Sequence, residues 1–227
     1  AVLMRGVCAL LLALLALPAA AAPERVVSLN VCTDQLAMMV AGEGQLVSVS
    51  SLARDPLYSP MAAEAEAYPV NHGLAEEVFS LRPDLVLAGA HAATRTVALL
   101  RKLGVRVAVF PLASELSDVP EALARMGDLL GRDETAAAIA ARFEADLARL
   151  RTHRAPPLRA ATFYPNAYTS GSGSLADAIL SAAGLVNIAA EKGLSGLTRL
   201  PLEALVMATP DLVISGQDQE APALAEG

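Results

Sequence analysis

EEVFSLRPDLVLAG occupies residues 76–89, and EALVMATPDLVISG occupies residues 203–216. In each segment a Glu is followed by six residues, then Pro-Asp-Leu-Val, and a Gly three positions later. A helix tends to end before a Pro, because the residue preceding Pro avoids the α region, and the apolar run after Asp is typical of a buried strand. Two copies of this pattern, 127 residues apart, predict a repeated helix–strand unit and two similar lobes.

Strand and helix patterns alternate along the chain before the long helical middle. Four strands are expected there, at residues 25–29, 46–49, 84–88 and 105–110. The helix that follows the first of these strands would be capped by Thr33 or Asp34. Continuous apolar strands that alternate with helices are typical of parallel sheets covered on both faces. The sequence therefore predicts an α/β fold.

The middle of the chain is helical, and an apolar stripe predicts a long helix over residues 133–151. The α/β pattern then resumes, with strands at 158–163 and 211–215 and helices at 175–183 and 202–208. The expected divisions are a signal peptide at 1–21, an N-terminal lobe at 22–116, a helical connector at 117–154 and a C-terminal lobe at 155–227. Because the second lobe shows two strands against four in the first, we expect it to be incomplete at the C-terminus.

The N-terminal stretch AVLMRGVCALLLALLALPAAAA (residues 1–22) has the pattern of a secretory signal. One charge, Arg5, precedes an apolar run from Val7 to Leu17, and Pro18 and several Ala follow. The run is shorter than the roughly 20 residues that a membrane-spanning helix needs. We expect cleavage after Ala21 and a periplasmic location; the alternative is a buried core helix.

The composition excludes two classes of protein. The chain has 54% hydrophobic and 18% charged residues, unlike an intrinsically disordered chain. Its 17 Lys and Arg against 24 Asp and Glu leave no basic surface for nucleic acid.

The cysteine and histidine residues do not form a metal-site pattern. Cys8 lies in the expected signal peptide, so Cys32 remains alone, without an intramolecular disulfide or a cysteine-type zinc site. A lone thiol of this kind is usually buried, and a partly exposed reactive thiol is the alternative. His72, His91 and His153 lack the spacing of a three-histidine site. No metal site and no resident cofactor are expected; the alternative is an axial ligand, from His91 or a Tyr, to the metal of a bound haem or cobalt chelate.

Polar and aromatic side chains in loops after strands are the candidate ligand contacts, because parallel α/β sheets bind ligands at the carboxyl ends of their strands. The candidates are Asn30, Cys32, Thr33, Ser51, Arg54, His91, Tyr164, Asn166 and Tyr168. The alternatives are a helix cap at Thr33 and a local ion pair between Arg54 and Asp55. The aromatic faces of Tyr164 and Tyr168 suit large, flat ligands. Residues 171–174 lead into a helix whose N-terminus suits an anionic group.

The segments RVVSLNVCTDQL (25–36), SLARDP (51–56) and the two Pro-Asp-Leu-Val copies, with the long helix between them, resemble the class III periplasmic substrate-binding proteins. These proteins serve ABC importers of cobalamin, haem and ferric siderophores. The resemblance covers residues 24–216 and implies two α/β lobes, a stiff connecting helix and a metal chelate held between the lobes. It also implies a monomer that docks on a membrane permease through Glu76 and Glu203. From the residues alone, stabilisation of the helix dipole is the alternative role of these two carboxylates.

A ferric siderophore is the first ligand expected from the resemblance, and haem and cobalamin are the alternatives. A binding protein, not an enzyme, is expected. The alternative from another class is a secreted α/β hydrolase that uses Ser172 or Ser174 with His153. That alternative is weak because the sequence SGSGS lacks the nucleophile-elbow pattern.

Overall fold

The computed structural model describes residues 21–90, 94–152 and 156–215. The first lobe is built from strands β1 (Val26–Ser28), β2 (Leu46–Ser50), β3 (Val70–Asn71), β4 (Leu85–Gly89) and β5 (Val107–Phe110), with helices α1 (Val31–Val40), α2 (Ala62–Ala65), α3 (Ala75–Ser80) and α4 (Thr94–Lys102). The strands form one parallel sheet in the order β3-β2-β1-β4-β5. Their carboxyl ends therefore share one edge of the sheet.

The connector contains two helices, α5 (Asp118–Leu130) and α6 (Asp133–Arg151). The remaining elements are β6 (Arg159–Phe163), β7 (Tyr168–Ser170), α7 (Leu175–Ala182), β8 (Val186–Asn187), α8 (Ile188–Glu191), β9 (Leu197–Arg199), α9 (Leu202–Met207) and β10 (Leu212–Ser215). Strands β10, β6 and β8 form a second parallel sheet, and β7 and β9 pair antiparallel. The two Pro-Asp-Leu-Val copies, in β4 and β10, thus lie in separate sheets.

The predicted repeat is confirmed in the backbone. Helices α3 and α9 are both six residues long and start at equivalent positions of the two copies. The residue before each Pro has a positive φ, 50° at Arg82 and 45° at Thr209. This shared, uncommon conformation ends both helices in the same way and directs both strands into their sheets.

The core of the first lobe lies on both faces of its sheet. On one face, buried residues of the sheet pack against α1, α5 and the start of α6. On the other face, Val78 of α3 and Leu100 of α4 are buried against the sheet. A Cβ added at Gly127 of α5 would lie 2.7 Å from the Cβ of Ala136 in α6, so the two helices are in close contact. Helix α5 is therefore part of the packing of the first lobe.

Several short elements were not predicted. The first sheet has five strands, not the expected four, because the sequence pattern predicts no strand at β3. Strands β7, β8 and β9 contain only two or three residues each, too few for an alternating pattern. The predicted cap of the first helix is also wrong: Asn30 is the N-cap, because its side chain accepts a hydrogen bond from the backbone of Cys32.

Strand β10 is more exposed than its counterpart β4. Leu212, Val213 and Ile214 are 41%, 46% and 37% exposed, whereas residues 85–87 are fully buried. Strand β4 lies between β1 and β5 in its sheet, whereas β10 is the edge strand among the described strands of its sheet. The edge position explains the greater exposure of β10. Within the described ranges, no helix has the length and apolar character needed to cross a bilayer. The predicted signal peptide, apart from Ala21, lies outside them.

Candidate functional site

A cavity of about 330 Å³ lies at the carboxyl ends of β1, β4 and β5. Its lining residues are Asn30, Cys32, Thr33, Leu36, Gly89, Ala90, Phe110, Pro111, Leu112, Ala113, Ala122 and Leu175. All of these belong to the first lobe and α5 except Leu175, the first residue of α7 in the second lobe. We call this cavity the inter-lobe cleft.

One wall of the inter-lobe cleft is the turn from β1 into α1. Asn30 accepts a hydrogen bond from the backbone N–H of Cys32 (3.0 Å) through its side-chain oxygen. The Thr33 hydroxyl donates to the carbonyl oxygen of Asn30 (3.0 Å) and lies 2.8 Å from the Ser28 hydroxyl. These bonds hold three predicted contacts, Asn30, Cys32 and Thr33, together in one wall.

The thiol of Cys32 is exposed. Burial of part of the side chain, and next the nearby Asp34 carboxylate, raise the pKa of this thiol. The neutral thiol is therefore the dominant form near neutral pH, and it is a weak nucleophile. Of the two predictions for Cys32, the partly exposed thiol agrees with the structure and the buried thiol does not.

A second part of the lining is the end of β5 and the loop that follows it, residues 110–113, which the sequence analysis did not select. Phe110 is the last residue of β5. The expectation that ligands bind at the carboxyl ends of parallel strands therefore applies to this loop as well. The same loop also lines a second cavity of about 480 Å³, to which Asp118, Glu121 and Arg125 contribute. The Arg125 guanidinium lies 4.6 Å from the centre of the Phe110 ring, a cation–π contact that holds the ring in place.

The lining of the inter-lobe cleft is mostly apolar. Among its described lining residues none carries a formal charge at neutral pH, and the polar groups are Asn30, Cys32 and Thr33. Such a surface contacts an apolar or flat ligand face and offers a few hydrogen bonds at its edge. No group of three His, Cys, Asp or Glu residues suited to hold a metal occurs in the described part of the chain.

Three predicted contacts of the second lobe lie together, from the residue after β6 to the first residue of β7. Tyr164 donates from its backbone N–H to the carbonyl oxygen of Tyr168 (2.8 Å). Asn166, between them, is exposed and has a φ of 61°. The Arg199 guanidinium lies 5.3 Å from the centre of the Tyr168 ring. None of the three predicted residues is among the lining residues of the inter-lobe cleft.

The predicted contacts at the end of β2 do not line the inter-lobe cleft either. The Arg54 guanidinium donates to the carbonyl oxygens of Ala65 (3.3 Å) and Tyr68, and it pairs with Glu66 (3.6 Å). It therefore holds the end of α2, and the ion pair with Asp55 that was considered for it does not form. Ser51 is exposed in a short 3₁₀ helix, Ser51–Arg54, and His91 lies outside the described residues.

The serine-rich turn before α7 forms a helix cap. The Ser174 hydroxyl donates to the carbonyl oxygen of Gly171 (2.7 Å) and accepts from the backbone N–H of Asp177 (3.2 Å). Asp177 places a carboxylate in the first turn of α7, which disfavours a second anion there. His153, the proposed base of the hydrolase alternative, lies outside the described residues.

Glu76 and Glu203 occupy the second position of α3 and α9. Both are exposed, and neither is in an ion pair with another described residue. One helical turn later each helix carries an exposed apolar side chain, Phe79 (46% exposed) and Val206 (63% exposed). The repeat therefore places a carboxylate and an apolar group side by side on each lobe.

Comparison with known proteins identifies the family. A model of the family described as periplasmic binding protein matches residues 26–225. A cobalamin-binding protein of Halobacterium salinarum is 32% identical over 204 residues, which cover 86% of this chain and 54% of that protein. The chain thus spans about half the length of this relative. A vitamin B12-binding protein of Pectobacterium carotovorum is 27% identical, over 98% of this chain and 85% of its own length.

A solved structure has the same fold. The periplasmic heme-binding protein RhuT of Roseiflexus sp. RS-1, in its apo form, superposes with a TM-score of 0.73 at 26% identity, over 85% of this chain and 76% of that one. The family and these relatives are binding proteins and not enzymes, so the hydrolase alternative is not supported. With the family match covering most of its length, this chain belongs to the periplasmic binding protein family.

Proposed function

We propose that this protein captures a metal chelate between its two lobes and delivers it to the membrane permease of an ABC importer. The observation that carries the proposal is the inter-lobe cleft, which combines strand ends of the first lobe with Leu175 of the second. A ligand in this position contacts both lobes at once, so its binding stabilises one arrangement of the lobes for a partner to recognise.

Among the chelates, the observations favour a tetrapyrrole, and cobalamin first. The cleft lining is apolar and uncharged, which suits the face of a large macrocycle better than a charged ligand surface. The two curated relatives described above are a cobalamin-binding and a vitamin B12-binding protein. A ferric siderophore, the first expectation from the sequence, and haem are the competing ligands.

The same proposal assigns docking on the permease to Glu76 and Glu203. Each carboxylate is exposed on its own lobe, and each stands beside an exposed apolar side chain. Two unpaired carboxylates in equivalent positions suit a partner surface with two basic sites. For delivery at the outer face of the inner membrane, the protein has to be exported, which the signal pattern of residues 1–21 predicts.

The ligand is tested by calorimetric titration of residues 22–227 with cyanocobalamin, haemin and a ferric hydroxamate siderophore. We expect cyanocobalamin to bind with a Kd of about 1 μM or tighter, which corresponds to about 8 kcal/mol. Tighter binding of the siderophore would change the ligand assignment. The absence of binding to all three probes would refute the proposal.

The docking assignment is tested by reversing both charges, Glu76→Lys with Glu203→Lys. We expect transport in cells to be lost while the Kd for the bound chelate stays unchanged, because neither residue lines the cleft. The matched control is Glu134→Lys with Glu144→Lys, which reverses two exposed charges on α6. Transport that survives the first pair, or is lost equally with the second, rules out docking through Glu76 and Glu203.

A further inference from the structure

Asp34 is a fully buried carboxylate directly behind the wall of the inter-lobe cleft. It lies in the first turn of α1 and accepts hydrogen bonds from the backbone N–H (3.1 Å) and the hydroxyl of Ser50. Among the described residues, no Arg, Lys or His pairs with it. An unpaired buried carboxylate is costly, so its presence needs an explanation beyond packing.

The position of Asp34 connects two elements at the ligand-binding edge of the sheet. Ser50 is the last residue of β2, and the first turn of α1 carries Cys32 and Thr33. On the β1 side, the hydroxyl of Ser28 lies 2.8 Å from the hydroxyl of Thr33 and close to the Asp34 carboxylate. The carboxylate therefore joins the end of β2 to the turn that forms one wall of the cleft.

The groups that face Asp34 are hydroxyls and one thiol. They come from β1 (Ser28), β2 (Ser50) and α1 itself (Cys32). Cys32 is the titratable neighbour, and its thiol is neutral near neutral pH because Asp34 and burial both raise its pKa. Arg54, four residues after Ser50 in the sequence, directs its guanidinium to the carbonyl oxygens of Ala65 and Tyr68.

We propose that Asp34 is a positioning residue for ligand binding: its ionised carboxylate holds the first turn of α1 against the end of β2 and so fixes Asn30, Cys32 and Thr33 in the cleft wall. This proposal rests on the proposed function, since it assigns a role within the same cleft. An ionised carboxylate accepts both hydrogen bonds of Ser50 with charge assistance, and a neutral side chain does so more weakly.

The protonation of Asp34 gives the proposal a measurable signature. Burial raises the pKa of Asp34, although the hydrogen bonds from Ser50 and the nearby hydroxyl of Ser28 oppose the shift. On acidification the carboxylate therefore takes up its proton earlier than an ordinary Asp. Asn has the shape of the protonated acid and no charge, so Asp34→Asn mimics the low-pH form at every pH.

The first test measures the Kd for cyanocobalamin from neutral to mildly acidic pH. We expect Asp34→Asn to bind about tenfold more weakly than the wild type at neutral pH, as the loss of one charge-assisted hydrogen bond implies. We expect the wild type to weaken on acidification towards the value of the variant, which itself changes little. Asp128→Asn, an exposed position on α5, is the control and should follow the wild type. Equal affinities at neutral pH, or an unchanged acid dependence in Asp34→Asn, would overturn the proposal.

The second test needs no ligand. In hydrogen exchange of the free protein at neutral pH, peptides that contain the first turn of α1 and the end of β2 should exchange several-fold faster in Asp34→Asn than in Asp128→Asn. Equal exchange rates in these peptides would contradict the positioning role. If no probe binds the wild-type protein, the proposed function fails, and the exchange measurement alone still decides the role of Asp34.

Discussion

The guanidinium of Arg25 donates a hydrogen bond to the carbonyl oxygen of Leu81 (2.7 Å), which joins the start of the first strand to the end of the helix that carries Glu76. In the second lobe, Arg159 donates to the carbonyl oxygen of Ala208 (2.6 Å), at the end of the helix that carries Glu203. Arginine at a helix C-terminus also interacts favourably with the helix dipole. Both proposed docking helices are thus fixed to their sheets by the same contact.

The carboxylates of the two Pro-Asp turns should contribute to the stability of their lobes. Asp84 accepts hydrogen bonds from the backbone N–H groups of Glu24 (2.9 Å) and Arg25 (2.8 Å). We expect Asp84→Ala to lower the free energy of unfolding by about 1–2 kcal/mol, because two backbone donors lose their acceptor. Urea unfolding followed by circular dichroism measures this change. Asp128→Ala, on an exposed helix face, should change it by less than about 0.5 kcal/mol, and a similar loss in both variants would contradict the assignment.

Ala167 lies in the segment between β6 and β7 with a φ of 61°, a conformation that strains a residue with a Cβ. The left-handed conformation costs about 1–2 kcal/mol for such a residue, and Gly avoids this cost. Gly also has more conformational freedom in the unfolded chain, which lowers the free energy of unfolding by about 0.4–1 kcal/mol. We therefore expect Ala167→Gly to stabilise the protein by about 0.5 kcal/mol.

The matched control for this change is Ala145→Gly, in the middle of α6, which should destabilise the protein by about 0.5–1 kcal/mol. Opposite signs for the two substitutions in thermal unfolding are the expected result. A loss of stability in both would show that Ala167 is not strained.

Cys32 offers a direct probe of occupancy, because its exposed thiol lines the inter-lobe cleft. We expect cyanocobalamin at about ten times its Kd to slow the alkylation of Cys32 by iodoacetamide about tenfold, since about a tenth of the protein then remains free. Peptide mapping by mass spectrometry follows the reaction at mildly alkaline pH, where the thiolate forms despite the raised pKa. An unchanged rate at saturation would place the bound ligand elsewhere.

The elements that sequence reasoning located correctly are those with a long local pattern. The predicted helix over residues 133–151 coincides with α6, and the helix–strand units of the two Pro-Asp-Leu-Val copies occur where expected. Strand β3, with two residues, has no periodicity of its own. It is a strand because β2 provides hydrogen-bond partners for its backbone, and those partners are distant in sequence.

The lining of the inter-lobe cleft was predicted only in part, for a related reason. Asn30, Cys32 and Thr33 were found because they directly follow a strong strand pattern, and they share the cleft wall. The loop after Phe110 carries no polar signal and was overlooked. Arg54 was expected to contact the ligand, but its guanidinium donates hydrogen bonds to the carbonyl oxygens of Ala65 and Tyr68. These partners are 11 and 14 residues away in the sequence, so no local pattern indicates them.

By itself, the sequence determined the α/β class, the duplicated helix–strand unit and the turn that supplies one cleft wall, because these depend on residues that are neighbours along the chain. The tertiary structure alone decided that Leu175 faces the first lobe across a cavity and that Asp34 is buried without a cation. Both depend on how β1, β2, α1 and α7 pack together. Packing brings together residues separated by many positions, so no local pattern encodes it.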